Sequence, residues 1–450
     1  MRRSSSAYPH VLGMLTLTAV EPLIGAPYLS VANWLRRFDA WPAERRVVWQ
    51  RRRLDDVIER AAARVPFYRS LLGGRGAGIE LTDLPVVDKL RMRADPEAFR
   101  SADRERMTYV RKATAGTTGD PWQYELDRRA WAHIRGAQLH LWEQTGYRYG
   151  DRIVVLGTPP SLLAGGTRVA GRLRAMLERR VYSAAGIRVD HSASLDRARR
   201  AVAAGGMVWY GYATMVAAMA QAVLDEGFRL CGPTAIITTS EPLQPAWRAQ
   251  IEQAFAAPVY DEYGCNDGGI IALTCPRGRF HLAENVSLVE ILDGERTCPP
   301  GVEGDIVVTN LHAHVLPFLR YRIGDRGVLS DGPCPCGRLG QVLERLTGSS
   351  GDSLSLPDGS SISYVTFGPI FWETPHIRRW QIVQEVVDRV TVRLDVEDGF
   401  TEEEAGIIRA GIHARSGGQL AVDIRLDDPI VRTGGGKQRV VINSLQQVGP

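Results

Sequence analysis

A segment rich in glycine and threonine is the part of this 450-residue chain with the clearest capacity for chemistry. Residues 113–121 read Ala-Thr-Ala-Gly-Thr-Thr-Gly-Asp-Pro. Glycine lets a backbone approach a ligand closely, and threonine hydroxyls and free N–H groups can donate hydrogen bonds to phosphate oxygens. The segment lacks the Gly-Lys-Ser/Thr ending of a P-loop, which disfavours a P-loop NTPase. It therefore predicts a phosphate-binding loop, with an ordinary polar surface turn as the alternative.

Three cysteines and one histidine have the chemistry of a metal site. Cys275 and His281 stand close together, and Cys334-Pro335-Cys336 follows later in the chain. Three thiolates and an imidazole suit tetrahedral Zn²⁺, and four protein ligands would leave no open position, so the zinc would be structural. The Cys-x-Cys spacing is tighter than the usual Cys-x₂-Cys, so four residues without a metal remain the alternative. The other cysteines are expected to be free thiols: Cys231, Cys265 and Cys298.

Four further segments follow the glycine- and threonine-rich one in a fixed order. They are Ser240-Glu241-Pro242, Tyr263-Gly264-Cys265-Asn266-Asp267-Gly268, Tyr321-Arg322-Ile323-Gly324-Asp325 and Gly434-Gly435-Gly436-Lys437. Together the five segments resemble the motifs of the adenylate-forming ligase superfamily, which includes acyl-CoA synthetases and the adenylation domains of peptide synthetases. The short length and the segment Val65-Pro66-Phe67-Tyr68 look like its phenylacetate–CoA ligase-like, capsule-biosynthesis-type branch.

This resemblance implies an enzyme that uses ATP to activate a carboxylic acid. The expected product is an acyl-adenylate, formed with release of pyrophosphate, and the expected acceptor of the acyl group is coenzyme A. An aryl or arylalkanoic acid is the predicted substrate class. Two alternatives stay open: a ligase that uses an amine or another nucleophile, and a catalytically degenerate homologue that binds a nucleotide.

The resemblance also implies roles for single residues. Lys437 would reach the acid carboxylate and the α-phosphate, Asp267 would bind Mg²⁺, and Asp325 would accept hydrogen bonds from the ribose hydroxyls. The ATP- and AMP-binding set implied in this way is Thr114, Gly116, Thr117, Thr118, Gly119, Ser240, Glu241, Pro242, Tyr263, Gly264, Asp325 and Arg345. The implied acyl pocket comprises Trp209, Tyr210, Tyr212 and Ala213. Aromatic residues at such positions are as often ordinary core, which remains the alternative for these four.

Two departures from the family pattern affect these assignments. Asp267 stands where the family has a glutamate, and its side chain is one methylene shorter. At the hinge, Ser349 replaces the usual arginine and Gly351 stands at the usual aspartate position. Arg345 is near enough in sequence to substitute for the missing arginine.

The elements that must position these residues can be predicted from hydrophobic periodicity. Apolar strands at 153–156, 208–210, 235–239 and 259–260 alternate with helical patterns at 128–144, 215–224 and 245–255, after a helix at 43–65. Such alternation predicts an α/β layered fold with largely parallel sheets. Strands with tight turns follow after residue 285, and Thr401 and Glu404 are spaced as a capping box for a helix at 402–415. We expect a large N-terminal adenylation domain at 1–347, a hinge at 348–352 and a small, mobile α+β domain at 353–450.

Composition excludes several other functions. With 55 Lys and Arg against 51 Asp and Glu, the formal charge is +4, which gives no case for nucleic-acid binding. No run of 18 apolar residues predicts a membrane span. Arg2 and Arg3 before residues 11–20 loosely resemble a secretory signal, but an ordered N-terminal helix is favoured. Six cysteines do not suggest a disulfide framework, so a reduced, cytoplasmic setting is expected, and a homodimer stays open.

Overall fold

The structure is a computed structural model of the chain. It describes residues 15, 28–113, 122–148, 150–156, 180–182, 191–240, 243–265, 268–349, 353–358, 361–363, 367, 370–371, 374–426, 428–431 and 440–445. The helices are α1 Tyr28–Asp39, α2 Ala43–Arg64, α3 Pro66–Leu72, α4 Lys89–Ala94, α5 Pro96–Phe99, α6 Arg128–Trp142, α7 His191–Ala204, α8 Ala213–Asp225, α9 Pro245–Phe255 and α10 Glu402–Arg415.

Within the described residues, the strands form one large sheet and three smaller ones. They are β1 Val87–Asp88, β2 Tyr109–Ala113, β3 Gln123–Asp127, β4 Ile153–Leu156, β5 Arg180–Tyr182, β6 Val208–Tyr212, β7 Ala235–Thr239, β8 Val259–Cys265, β9 Gly269–Thr274, β10 Phe280–Leu282, β11 Ser287–Asp293, β12 Arg296–Thr297, β13 Glu303–Asn310, β14 Tyr321–Leu329, β15 Val342–Ser349, β16 Ser353–Ser355, β17 Ser361–Ser363, β18 Ile377–Val386, β19 Arg389–Val396, β20 Ala421–Arg425 and β21 Val441–Asn443.

The chain divides into two compact units. The larger consists of Met1–Thr114, Pro121–Ile323 and Val328–Arg345, and the smaller of Ala115–Asp120, Gly324–Gly327 and Leu346–Pro450. Strand β15 runs on to Ser349, so the predicted hinge begins within a strand, and residues 350–352 lie outside the described residues.

The large sheet of the first unit has the order β12-β11-β13-β14-β15-β10-β9-β8-β7-β6-β4-β5, with β1 paired to β14. Strands β5, β4, β6, β7 and β8 are parallel, and β8 meets β9 antiparallel. All five residues of β7, Ala-Ile-Ile-Thr-Thr, are buried, as expected for a parallel strand covered on both faces. The predicted α/β fold is confirmed, although the run of adjacent parallel strands in the large sheet is limited to these five, with β1 and β14 as a separate parallel pair.

The carboxyl ends of β6, β7 and β8 meet at one edge of the parallel part. In register, Tyr212 pairs with Thr239, and Thr239 pairs with Glu262. Ligands of open α/β sheets bind beyond the carboxyl ends of the strands. The predicted Ser240 and Tyr263 segments both lie at this edge.

The small unit is an α+β structure around its own core. Its sheet has the order β20-β19-β18-β21, and helix α10 contributes Ile408 and Ile412 to the core. The helix begins at the predicted capping box: the Thr401 hydroxyl accepts from the Glu404 N–H, and the Glu404 carboxylate accepts from the Thr401 N–H. This box supplies partners for two backbone groups that a helix start leaves unpaired.

Most predicted helices and strands are present with small shifts of their ends. Strand β14 begins at Tyr321, although its first five residues are the charged Tyr321–Asp325 motif and do not read as an apolar strand. The signal-like stretch at 11–20 lies outside the described residues apart from Leu15. Among the described residues, no helix is long and apolar enough to cross a membrane.

Candidate active site and cysteine–histidine cluster

Ser240 follows β7 in a backbone conformation that side chains rarely adopt. Its φ is +65°, in the left-handed region, and the residue is exposed. A non-glycine residue held there stores about 1–3 kcal/mol of strain. Such strain concentrates at functional turns, and Ser240 is one of the residues predicted to bind the nucleotide.

Tyr263 and Gly264 lie at the end of β8, where the register with β9 shifts. The ring of half-buried Tyr263 meets Phe280 edge to face, with centroids 6.2 Å apart. A Cβ on Gly264 would lie 2.5 Å from the Gly269 carbonyl oxygen. Since that neighbour is backbone, glycine is required for β8 and β9 to approach here.

Two other members of the predicted nucleotide set lie on strands. Asp325 is in the middle of β14 and is half-buried. Arg345, on β15, has 62% of its side chain exposed, and its Nη2 lies 3.9 Å from the Glu303 carboxylate. Such an exposed pair holds the arginine weakly, so its side chain is available to a ligand.

The four predicted acyl-pocket residues do not share one environment. Trp209 is 1% exposed and packs edge to face on Phe255, and Ala213 is fully buried. Tyr210 points to the opposite face of β6, toward Trp142, with ring centroids 4.9 Å apart. Successive strand residues face opposite sides of a sheet, so Trp209 and Tyr210 cannot line one pocket together. Trp209 is a core residue here, half-buried Tyr212 packs against the same core, and Tyr210 lies against Trp142 and Glu262.

Several predicted site residues lie outside the described part of the chain. They are Thr114, Gly116, Thr117, Thr118, Gly119, Glu241, Pro242, Asp267 and Lys437.

A buried carboxylate lies directly before Tyr263. Glu262 Oε1 accepts hydrogen bonds from the Tyr210 hydroxyl and from Gln138 Nε2, both at 2.7 Å, and Oε2 accepts from Trp142 Nε1 at 2.6 Å. Burial raises the pKa of Glu262, and these three donors oppose the rise. Burial and the neighbouring Glu262 raise the pKa of Tyr210 well above its ordinary value, so the phenol remains a donor.

The preceding residue, Asp261, points to the other side of β8. It accepts a 2.7 Å hydrogen bond from the Thr238 hydroxyl and another from the backbone N–H of Leu243. Burial raises the pKa of Asp261 to about 7, in spite of these bonds and of Arg248 nearby. Asp261 therefore anchors the chain just after the Ser240–Pro242 segment.

The structure brings Cys275, His281, Cys334 and Cys336 together. Their ligand atoms all lie within 4.8 Å of one another. The reason is strand pairing. Cys275 directly follows β9, and His281 lies in β10, which pairs with β9. Strand β10 also pairs with β15, which follows the loop that carries Cys334 and Cys336. Strand pairing thus joins two segments about 60 residues apart in the chain.

The geometry fits a tetrahedral metal. The Sγ atoms of Cys275 and Cys334 are 3.7 Å apart, and Cys336 Sγ lies 3.2 Å from His281 Nε2. Zinc–sulfur bonds of about 2.3 Å place two sulfurs of a tetrahedron about 3.8 Å apart. The observed 3.7 Å between these two sulfur atoms is far longer than the roughly 2.05 Å of a disulfide bond. The donor set and its spacing therefore suit Zn²⁺.

Two of the four cluster residues have pKa shifts toward the form that a metal binds, whereas burial raises the pKa of the Cys334 thiol. Burial, with Arg338 nearby, lowers the pKa of His281 to about 4, which leaves the imidazole neutral at physiological pH. Burial alone would raise the pKa of Cys336, but the Arg338 backbone N–H and the neighbouring thiols bring it below its ordinary value. Metals bind neutral imidazole and thiolate.

Arg338 joins the cluster to helix α1. Its Nη2 lies 3.5 Å from Asp39 Oδ2, and that oxygen also lies 3.0 Å from His140 Nε2. A centre with three thiolates and one Zn²⁺ would carry a net negative charge, which Arg338 would offset.

Sequence patterns did not reveal Glu262, Asp261 or Arg338 as candidate functional residues. An available signal was the pair Asp261-Glu262 inside a segment that otherwise reads as a buried strand. Their partners come from other strands and from α6, so the sequence alone does not identify them.

The fold of this chain is similar to that of solved acyl-CoA ligases. A crystal structure of 2-hydroxyisobutyryl-CoA ligase in the postadenylation state, in complex with R3-HIB-AMP, matches it with a TM-score of 0.73. The match covers 92% of this chain and 92% of that one, at 20% identity.

The sequence relatives specify the branch. Residues 354–444 match the family of the CapK C-terminal domain. Phenylacetate-coenzyme A ligase of Thermus thermophilus is 24% identical over 397 residues, covering 80% of this chain and 84% of that protein. Protein CapK of Staphylococcus aureus is 25% identical over 244 residues, 52% of each. The resemblance to adenylate-forming ligases of the phenylacetate–CoA ligase and CapK branch is therefore confirmed.

Proposed function

We propose that the chain activates a carboxylic acid with ATP, forming an acyl-adenylate and pyrophosphate, and then transfers the acyl group to coenzyme A. One observation carries this proposal. Ser240 and Tyr263–Gly264 lie at neighbouring carboxyl ends of β7 and β8, in a fold that an acyl-CoA ligase matches over 92% of the chain. Two independently matched motifs thus meet at the edge where such folds bind ligands.

In this reaction the acid carboxylate attacks the α-phosphorus of ATP, and the bond to the leaving pyrophosphate breaks. Negative charge is lost from the attacking carboxylate oxygen and gained by the oxygen of the leaving pyrophosphate. Positioning of the reactants and electrostatic stabilisation of this charge therefore supply most of the catalysis. We assign Thr114–Gly119 to the leaving phosphates, Asp325 to the ribose and Lys437 to the α-phosphate. Asp267 would hold Mg²⁺, which neutralises charge on the phosphates.

The cysteine–histidine cluster has a separate proposed role. We infer that Cys275, His281, Cys334 and Cys336 hold one structural Zn²⁺. Four protein ligands close the coordination sphere, so the ion would stabilise the β9–β10 hairpin and the 334–336 loop without taking part in acid activation.

The proposed activity is tested by ATP–pyrophosphate exchange with a panel of acids. The buffer contains a reducing agent, because a cytoplasmic location is proposed. We expect exchange with at least one aryl or arylalkanoic acid. AMP release on adding coenzyme A, compared with an amine, then identifies the acceptor. Retained ATP binding without exchange for any acid would instead favour a degenerate nucleotide-binding protein, for which Asp267 and Ser349 are the motivating departures.

A further inference from the structure

The hydrogen bonds of Glu262 tie three elements of the larger unit together. The carboxylate, 6% exposed, sits on β8 and accepts from Tyr210 on β6 and from Gln138 and Trp142 on α6. Each carboxylate oxygen has at least one partner, and each partner is a donor. The side chain therefore has the surroundings of a stable carboxylate anchor.

The network reaches a third strand through Tyr210. The Thr239 hydroxyl donates to the Tyr210 oxygen, and Thr239 is the last residue of β7, directly before strained Ser240. The network therefore lies beneath the ends of β6, β7 and β8. These ends lead into the Tyr210–Ala213, Ser240–Pro242 and Tyr263–Gly264 segments of the predicted site.

A charged side chain is a costly way to join these elements. Burying a carboxylate carries a desolvation penalty of several kcal/mol, and well-packed apolar residues would often be neutral or stabilising in its place. The cation Arg135 is connected to Glu262 through Gln138. The Arg135 guanidinium donates to Gln138 Oε1, and Gln138 Nε2 donates to the Glu262 carboxylate. Directional hydrogen bonds fix ring orientations in a way that apolar packing does not.

We propose that Glu262 is a positioning residue for acid activation, which acts through Tyr210 to hold the acid beside the nucleotide. This proposal rests on the proposed function. By fixing the Tyr210 hydroxyl, Glu262 keeps the wall of the acyl site at the correct distance from the nucleotide. Loss of that hold displaces the acid more than the nucleotide.

The test compares Glu262→Gln, Glu262→Leu and Tyr210→Phe in pyrophosphate exchange. Glutamine keeps one acceptor oxygen for Tyr210 and Gln138, whereas leucine keeps none. We expect Glu262→Leu to raise the KM for the acid on the order of tenfold or more, as small displacements in an active site do. Glu262→Gln should recover part of this loss, and the KM for ATP should change less than about twofold in both. The effects of Glu262→Gln and Tyr210→Phe should not add in the double variant, because both act on one contact.

Glu290→Gln is the matched control, since Glu290 is another enclosed carboxylate of the same unit, 3.3 Å from Arg320. It should lower Tm without changing the KM for the acid. If wild-type protein exchanges but Glu262→Leu keeps the wild-type KM for the acid, the positioning role is wrong while the proposed function stands. The same conclusion follows if KM for acid and ATP rise together. Wild-type protein without exchange for any acid would overturn both proposals.

Discussion

Lys437 is the single residue on which the proposed adenylation step should depend most. Its positive charge would stabilise the transition state where the carboxylate meets the α-phosphate, and would contribute less to ATP binding in the ground state. Lys437→Ala should therefore lower pyrophosphate exchange on the order of 10²-fold or more, with little change in ATP affinity. Transfer from a preformed acyl-adenylate should be largely spared. Wild-type exchange in this variant would show that the C-terminal glycine-rich match has no catalytic meaning.

Asp261 should make stability depend on pH. Its folded pKa of about 7 lies above the roughly 3.9 of an unfolded aspartate, so the folded state binds more protons between these values. The contribution to stability is complete below pH 4 and is lost as pH rises through 7. Asp261→Asn stays neutral, so the difference in free energy of unfolding between this variant and wild type should grow in favour of the variant by about 1 kcal/mol or more between pH 5 and pH 8.

Urea denaturation at pH 5, 6, 7 and 8 measures this difference. The charged groups beside Asp261 are Arg248 and Glu262, and neither changes in the variant. An equal difference at all four pH values would show that Asp261 does not titrate in this range.

At the scale of elements, the β9–β10 hairpin and the loop before β15 should depend on a metal. Purified protein should contain about one zinc per chain, and Cys334→Ser should lose it and lower Tm on the order of 5–10 °C. Cys298→Ser is a matched control, because Cys298 is also buried but lies outside the cluster. Metal analysis and thermal denaturation decide the matter: zinc-free wild type, or equal Tm losses in both variants, would contradict the prediction.

The sequence allows the elements to be predicted better than their contacts. Apolar spacing of 3.6 residues predicts α2 and α9 nearly to their ends, because each buries one continuous face, and a short uninterrupted run predicts β7, which is buried on both faces. It does not predict that Glu262 meets Tyr210 and Trp142, because that contact depends on the order β6-β7-β8 and on the position of α6. For the same reason, the sequence identifies the three cysteines and the histidine as a candidate metal site. It does not give the 3.7 Å distance between the Cys275 and Cys334 sulfur atoms, which depends on the β10–β15 pairing.

The acyl-pocket prediction shows the same limit. Trp209 and Tyr210 are neighbours in sequence and have the same aromatic character. The alternation of a strand sends one into the core against Phe255 and the other toward Trp142 and Glu262. Which of two adjacent residues faces the ligand depends on which face of the sheet the helices α8 and α9 cover, and that is a property of the whole unit.

At the scale of the whole molecule, ligand-induced changes in Tm should show whether the protein binds ATP and the acyl-adenylate. A ligand that binds the folded state raises stability by about 2.7 kcal/mol at 100 times its Kd. We expect ATP with Mg²⁺ alone to raise Tm, and a non-hydrolysable acyl-adenylate analogue to raise it further, because it fills the acid and nucleotide sites together. Lys437→Ala should keep the ATP-induced shift. Thermal denaturation with no shift for either ligand would speak against a nucleotide site in this fold.

The positions of the four cluster residues in the chain determine when during synthesis the proposed metal ion can bind. Its first members, Cys275 and His281, are synthesised more than 50 residues before Cys334 and Cys336. Strands β11–β14 lie between the two pairs, so a metal ion that needs all four ligands is captured only after those strands have left the ribosome. The proposed ion would then close a loop around sheet that is already synthesised, and would join β10 to the loop before β15 as the last step of that closure.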